Sequence, residues 1–473
     1  MIAKILCGYR DSLMHAMRVI NDNGLGIAFV VNDHGVLCGT VTDGDIRRGL
    51  LNDVDLDQSI ERVMTRQCVY GLVDDDYEAL VGKVSNKIKI IPVIDKAGKV
   101  VSYFQYNQSL NFPVAIPNLN GNEFKYLFDA FFSTWISSSG KYINKFEEGF
   151  ANYADCSHGV AVSNGTVALH LALLALGVGA GDEVIVPDLT FAATINAVLH
   201  AGATPVIVDV ELASWCIDPV EIDAAITDKT KAVIPVHLYG QPCDMDAILD
   251  ISRNRGISIV EDCAEAHGAT YSGRKVGSFG SIGCFSFFGN KVITTGEGGM
   301  CVTNDAELDE RMRVLRDHGM SKSKRYWHDV VGYNYRMTNL QAAIGLAQLE
   351  RISEIHRNRE CYEQMYKDAL KHIKQIEFQK DDFQKRRKIT WLVSLLMQGQ
   401  NEREGFISGL KQLGIDARPF FYPLSDMPIF KNYCKRPTKN AKLLSSRGLN
   451  LPTYESLKSV DELKKLFSCW QIQ

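Results

Sequence analysis

The chain has 473 residues, 46% of them hydrophobic and 23% charged, with a formal net charge of -4. That length exceeds what one hydrophobic core supports, so two or three domains are expected. The charge balance gives no electrostatic reason for a nucleic-acid partner, and no apolar run is long enough to span a bilayer. The 12 cysteines are scattered, with no C-x-x-C pair and no metal-ligand spacing. This predicts reduced thiols, a cytoplasmic protein and no metal site. The opening Met1 to Leu6 is too short for a signal peptide. The basic run Lys385-Arg386-Arg387-Lys388 reads as a solvated face rather than a nucleic-acid contact.

In chain order, a helix is predicted from Ser12 to Asn23, with apolar Leu13, Met14, Met17 and Ile20. A hairpin follows: Ile27 to Val31, a turn at Asn32-Asp33-His34-Gly35, then Val36 to Val41. A second helix from Tyr77 to Lys87 precedes a second hairpin, Lys89 to Ile94 and Lys99 to Tyr103, turning at Asp95-Lys96-Ala97-Gly98. The first hundred residues are thus an internal repeat of a helix–hairpin unit. Asn111-Phe112-Pro113 and Ile116-Pro117 then mark a linker.

Beyond the linker, short apolar runs recur at 184–187, 205–209, 232–236, 257–262 and 282–286, with helix-forming stretches between them. This alternation predicts an α/β domain with a mostly parallel sheet covered on both faces. From about Gln341 the pattern is mainly helical, with weaker strand signals near 390–393 and 416–419. A smaller α+β C-terminal subdomain is expected there.

Lys291 sits between the apolar run Phe285-Ser286-Phe287-Phe288 and the turn Thr294-Thr295-Gly296-Glu297-Gly298-Gly299. A lysine that loses solvation loses its proton more readily, and a neutral amine attacks a carbonyl. If the carbonyl is that of pyridoxal phosphate (PLP), three further groups are needed: a carboxylate for the ring nitrogen, an anion cradle and a flat apolar partner. Asp262 ends a predicted strand and meets the first need, although an Asp in a strand-to-helix loop also serves as a cap. Ser163-Asn164-Gly165-Thr166 opens a predicted helix, Val167 to Leu176, and offers free N–H groups to a phosphate. An ordinary N-cap is the alternative there. Ser286 adds a hydroxyl, and Phe191 is placed to stack on the ring or to fill a core.

The stretches Gly140-Lys141-Tyr142-Ile143-Asn144-Lys145-Phe146-Glu147, Ser163 to Thr166, Glu261 to Ala266, Ser286 to Gly299 and Gly332 to Thr338 resemble the DegT-type nucleotide-sugar aminotransferases. These are PLP enzymes of fold type I, and the resemblance runs from about Pro117 to the C-terminus. It implies that Lys291 forms the Schiff base and moves protons, and that Asp262 faces the pyridine nitrogen. It also implies that Gly165, Thr166 and Ser286 meet the phosphate and that Phe191 lies over the ring. Asn334 is implied to reach the neighbouring subunit's cofactor, so a homodimer or higher homo-oligomer is expected. Glu265 stands where many members carry Gln. With Ser286 to Gly299 and Asp317 to Lys322, it tilts the resemblance toward the GDP-perosamine-synthase-like branch. The implied reaction moves an amino group from glutamate to the C4 ketone of a nucleotide-linked 4-keto-6-deoxy sugar in polysaccharide biosynthesis. A dehydratase or lyase on a similar sugar and a C3 aminotransferase are the alternatives. Lys291 argues against the dehydrating branch, whose members carry His there. Arg418, in Arg418 to Leu424, matches a substrate-contacting segment and is placed to hold a diphosphate or to form a surface ion pair. Ser425 follows where a histidine is usual.

The N-terminal repeat looks like a pair of cystathionine-β-synthase (CBS) domains, mainly through Gly39 to Arg48. In such modules a Thr-x-x-Asp binds a regulatory nucleotide, which here implies Thr42 and Asp45; a turn with a helix cap is the alternative. The second copy lacks this motif after Val101-Ser102-Tyr103-Phe104. The expected domains are residues 1–110 (CBS pair), 111–350 (PLP-binding large domain) and 351–473 (small subdomain).

Overall fold

The two hairpins of the first hundred residues form the same way twice. Strands Leu6–Gly8, Ile27–Val31 and Leu37–Thr42 make one three-stranded sheet; Gly71–Leu72, Ile90–Ile94 and Val100–Gln105 make another. In each, the first strand pairs parallel with the second and the second antiparallel with the third. Each hairpin carries a bulge at the same step, Val30/Val31 and Val93/Ile94. The turns match as well: Asn32 Oδ1 accepts from the N–H groups of His34 and Val36, and Asp95 Oδ1 from those of Ala97 and Lys99. Gly35 and Gly98 both have φ of 77°, which glycine adopts without steric cost.

The computed structural model describes residues 2–75, 79–80, 83–85, 88–105, 112–412 and 414–454. The helix expected from Tyr77 to Lys87 falls largely outside them, as does the chain beyond 454. The chain folds as two compact units, Met1–Leu110 and Asn111–Gln473. Among the described residues no helix is long and apolar enough to cross a membrane.

The second unit is built on a seven-stranded sheet. Its order is His158–Val162, Gly299–Thr303, Ile282–Ser286, Ser258–Asp262, Thr230–Val233, Glu183–Pro187 and Thr204–Val208. Only Gly299–Thr303 runs against the others. Side chains alternate between two cores. Ala161, Ile185, Ile259 and Phe285 enter one, whereas Val160, Val184, Val260 and Cys284 enter the other. Burial on both faces explains why these strands read as continuous apolar runs. The fold is the mostly parallel α/β arrangement that the sequence predicts.

A second sheet lies toward the C-terminus, with antiparallel order Glu377–Phe378, Val393–Leu396, Gly448–Leu451 and Arg418–Pro419. Gly448–Leu451 is central to it although the sequence pattern there reads as helical. Four residues show no period, and their pairing partners lie far away in the chain. Residues expected to form a linker instead join this region: Phe112 N–H donates to Gly414 O (3.1 Å) and Thr453 N–H to Val114 O (2.9 Å). The basic run is neutralised within the chain. Lys385 pairs with Asp246, Arg386 with Asp244 and Glu211, Arg387 with Glu360, and Lys388 with Glu363.

Candidate active site

Four loops leave the carboxyl ends of parallel strands at one edge of the seven-stranded sheet, where open α/β sheets bind ligands. They follow Val162, Pro187, Asp262 and Ser286, and they surround a cavity of about 740 Å³. Gly165, Thr166, Phe191, Asp262, Glu265, Ser286, Lys291 and Arg418 all line it.

Asp262 is the last residue of its strand and is buried. Its Oδ2 accepts from Thr194 Oγ1 (2.8 Å) and its Oδ1 from the N–H of Ala264 (3.1 Å). Thr194 is itself 3.0 Å from Thr190 Oγ1, so the carboxylate is held by a small hydroxyl network. Burial pushes the Asp262 carboxyl above its ordinary value, while Thr194, Ala264 and Lys291 pull it down.

Lys291 follows the strand Ile282–Ser286 in a tight loop, its N–H donating to Phe288 O at 2.9 Å. Nζ lies 3.5 Å from Glu265 Oε1 and 4.0 Å from the centroid of the Trp391 ring. Glu265 Oε2 accepts from the N–H of Tyr239 (3.0 Å). Burial raises the Glu265 carboxyl, and the Lys291 charge lowers it. Tyr239 takes φ of 50°, uncommon for a bulky residue, and its hydroxyl accepts from the N–H of Phe421 (3.1 Å). One residue thus ties Glu265 to the segment that carries Arg418.

Asn164 caps the helix Gly165–Ala175, its Oδ1 accepting from Val167 N–H at 3.0 Å. A Cβ on Gly165 would stand 2.7 Å from Ser286 Cβ. Glycine therefore lets the helix start and the Ser286 strand end approach closely. Phe191 is 60% exposed, which places it at the cavity wall rather than in a core, and its ring centroid is 5.7 Å from that of Phe421. Arg418 lines the cavity while pairing with Asp416 (3.1 Å).

Other candidates lie elsewhere. Asn334 is exposed, is not among the residues lining the cavity, and accepts from Arg336 Nε (3.1 Å). Ser425 donates through N–H and Oγ to the Asp188 carboxylate, both at 2.7 Å, and does not line the cavity. Thr42 and Asp45 line a separate cavity of about 410 Å³ in the first unit. There they also form a complete capping box for the helix Asp43–Leu51, and Asp45 pairs with Arg48 (2.6 Å). The structure adds Thr194, Tyr239 and Trp391 to the site. None carried a sequence signal beyond its residue type, because each acts through a partner distant in the chain.

The arrangement suits PLP. A buried carboxylate shifted upward is relieved by a cationic ring nitrogen. A glycine-opened helix start with Ser286 beside it supplies donors for a phosphate, and the cavity volume suits a cofactor and part of a substrate.

Comparison with known proteins agrees. Residues 117–468 match the DegT/DnrJ/EryC1/StrS aminotransferase family, and residues 5–52 match the CBS domain. The chain is 49% identical to the GDP-perosamine synthase of Escherichia coli O157:H7, covering 73% of this chain and 94% of that one. It is 47% identical to that of Caulobacter vibrioides, covering 74% and 94%. The aminotransferase from Psychrobacter cryohalolentis superposes with a TM-score of 0.69 at 33% identity, over 75% of this chain and 98% of that one. The chain belongs to the DegT/DnrJ/EryC1/StrS aminotransferase family, a PLP-dependent sugar aminotransferase of fold type I with a CBS domain at its N-terminus.

Proposed function

We propose that the enzyme transfers an amino group from glutamate to the C4 ketone of a GDP-linked 4-keto-6-deoxy sugar. The observation that carries this reading is the likeness to two GDP-perosamine synthases over nearly their whole length. When bound, PLP supplies the electron sink through which nitrogen passes from donor to sugar. In this reading Asp262, braced by Thr194, keeps the ring nitrogen protonated. Gly165, Thr166 and Ser286 would hold the phosphate, and Phe191 would offer its ring to the cofactor. Lys291 would hold the cofactor through its Nζ and would be the group that moves a proton at the reacting carbon. Glu265, held by the N–H of Tyr239, would meet the cofactor's phenolic oxygen. Arg418 holds the diphosphate, exchanging its Asp416 partner for a stronger anion.

Asn334, exposed beside the cavity-lining Tyr335, supports a homodimer in which it reaches the neighbouring cofactor. Residues 111–350 form the cofactor-binding domain in this reading, 351–473 the small subdomain and 1–110 a regulatory module. We place the enzyme in the cytosol. The cavity lined by Thr42 and Asp45 is the site offered to a regulatory nucleotide.

The test is a glutamate-coupled assay over GDP-, UDP- and dTDP-linked keto sugars. Formation of 2-oxoglutarate with a GDP-4-keto-6-deoxy sugar is expected. Turnover that does not consume glutamate, or turnover only of a 3-keto sugar, overturns it. Calorimetry with AMP, ATP, GDP and GTP tests the N-terminal cavity, and no heat with any of the four leaves that module an assembly role alone.

A further inference from the structure

Trp391 makes two contacts with the reactive loop. Its ring face lies under the Lys291 ammonium, with Nζ 4.0 Å from the centroid. Its Nε1–H donates to the carbonyl of Asn290, the residue directly before the lysine, at 2.8 Å. The indole is itself immobilised: it is 3% exposed and stacks on Tyr239, with 6.1 Å between centroids and 20° between planes. Its neighbour Thr390 donates to Glu363, which also takes Lys388. Burial, the Tyr239 ring and the bond to Asn290 therefore hold the indole, while the lysine side chain over it has four rotatable carbon–carbon bonds.

Among the described residues Glu265 also meets the ammonium, but at 3.5 Å the contact is long for a charge-assisted bond. An indole is the best ring for a cation, and within about 6 Å of the centroid the attraction is strong in a dry site. The amine thus rests on the ring and leans toward the carboxylate, inside the cavity that also holds Asp262.

We propose that Trp391 is a positioning residue for Lys291: its face receives the ε-ammonium whenever the lysine is not bonded to the cofactor and keeps it at the reacting carbon. This rests on the aminotransferase reading. In each half of the cycle the freed amine takes up one proton from carbon and returns one, so the lysine ends as it began. Between those events it is a cation with a long tether. Without a fixed face, the ammonium would swing toward solvent or close on Glu265, and fewer of its conformations would lie within transfer distance.

Two variants separate this role from packing. Trp391→Phe keeps a ring face and loses the bond to Asn290; Trp391→Leu loses both. In single-turnover loading of nitrogen from glutamate, Trp391→Leu is expected to slow the step about tenfold or more, with glutamate affinity unchanged. A primary isotope effect with α-deuterated glutamate should grow in the same variant, because proton movement becomes limiting. Trp391→Phe should recover most of the rate.

A second measurement uses the cofactor-free protein. Lys291→Met removes the cation and is expected to change tryptophan emission in the parent, but not in a Trp391→Phe background. Equal emission from the parent and Lys291→Met, or an unchanged loading rate and isotope effect in Trp391→Leu, overturns the proposal. A wild-type enzyme that takes no nitrogen from glutamate overturns the activity reading instead, and the emission comparison still reports on the contact.

Discussion

Thr194 Oγ1 donates to Asp262 Oδ2 at 2.8 Å, and both groups are buried. The bond fixes the carboxylate plane at the end of a central strand and spares the charge part of its desolvation cost. Thr194→Val keeps the shape and deletes the donor. A hydrogen bond to a charged group contributes about 1.5–3 kcal/mol, so PLP affinity should fall on the order of ten- to a hundredfold. Equilibrium dialysis against PLP measures it; unchanged affinity would show that Ala264 N–H alone holds Asp262.

Lys291→Ala should abolish transamination and the visible absorbance that a lysine-bound cofactor gives. The fold should survive, since the side chain lines the cavity and, among the described residues, meets Glu265 and Trp391. Spectra and coupled assays of the purified variant check this, with thermal unfolding as the control.

Gly165→Ala places a Cβ 2.7 Å from Ser286 Cβ. Overpacking of this kind costs about 1–3 kcal/mol and should push the helix start away from the phosphate position. Both stability and PLP affinity are expected to drop. The double variant Gly165→Ala/Ser286→Gly should recover a large share of the stability. Recovery of nothing would place the strain elsewhere.

Burial raises the carboxyl groups of both Asp262 and Glu265 in the cofactor-free protein. A carboxyl raised on folding binds more protons in the native state than in the unfolded one. Stability from that source is full below the unfolded value and is lost as pH rises through the folded one. The cofactor-free enzyme should therefore lose stability as pH rises above the ordinary carboxylate range of about 4, and Glu265→Gln should flatten that slope. Melting curves at increasing pH decide it. A slope equal to the parent's would assign the effect to other groups.

The seven-stranded sheet was legible because its strands are buried on both faces and hence apolar throughout, as at Val184 to Val186 and Ile259 to Val260. The N-terminal repeat was legible because each hairpin carries its own Asx turn and glycine. Gly448–Leu451 was not, because a four-residue strand has no period and is stabilised by partners such as Val393–Leu396. The same limit applied to the site. Lys291, Asp262 and Gly165 belong to local motifs at strand ends, whereas Thr194, Tyr239 and Trp391 matter through contacts 68, 26 and 101 residues away.

By itself, then, the sequence determined the chemistry: a lysine, a strand-end aspartate and a glycine-led helix start are set by local residue order and by the strand and helix each belongs to. Tertiary structure alone decided how that chemistry is held. The Thr194 brace, the Tyr239 link from Glu265 to the Arg418 segment and the Trp391 face under Lys291 join parts of the chain that no local pattern connects. Close packing puts them within bonding distance only once the two faces of the sheet and the C-terminal sheet are in place.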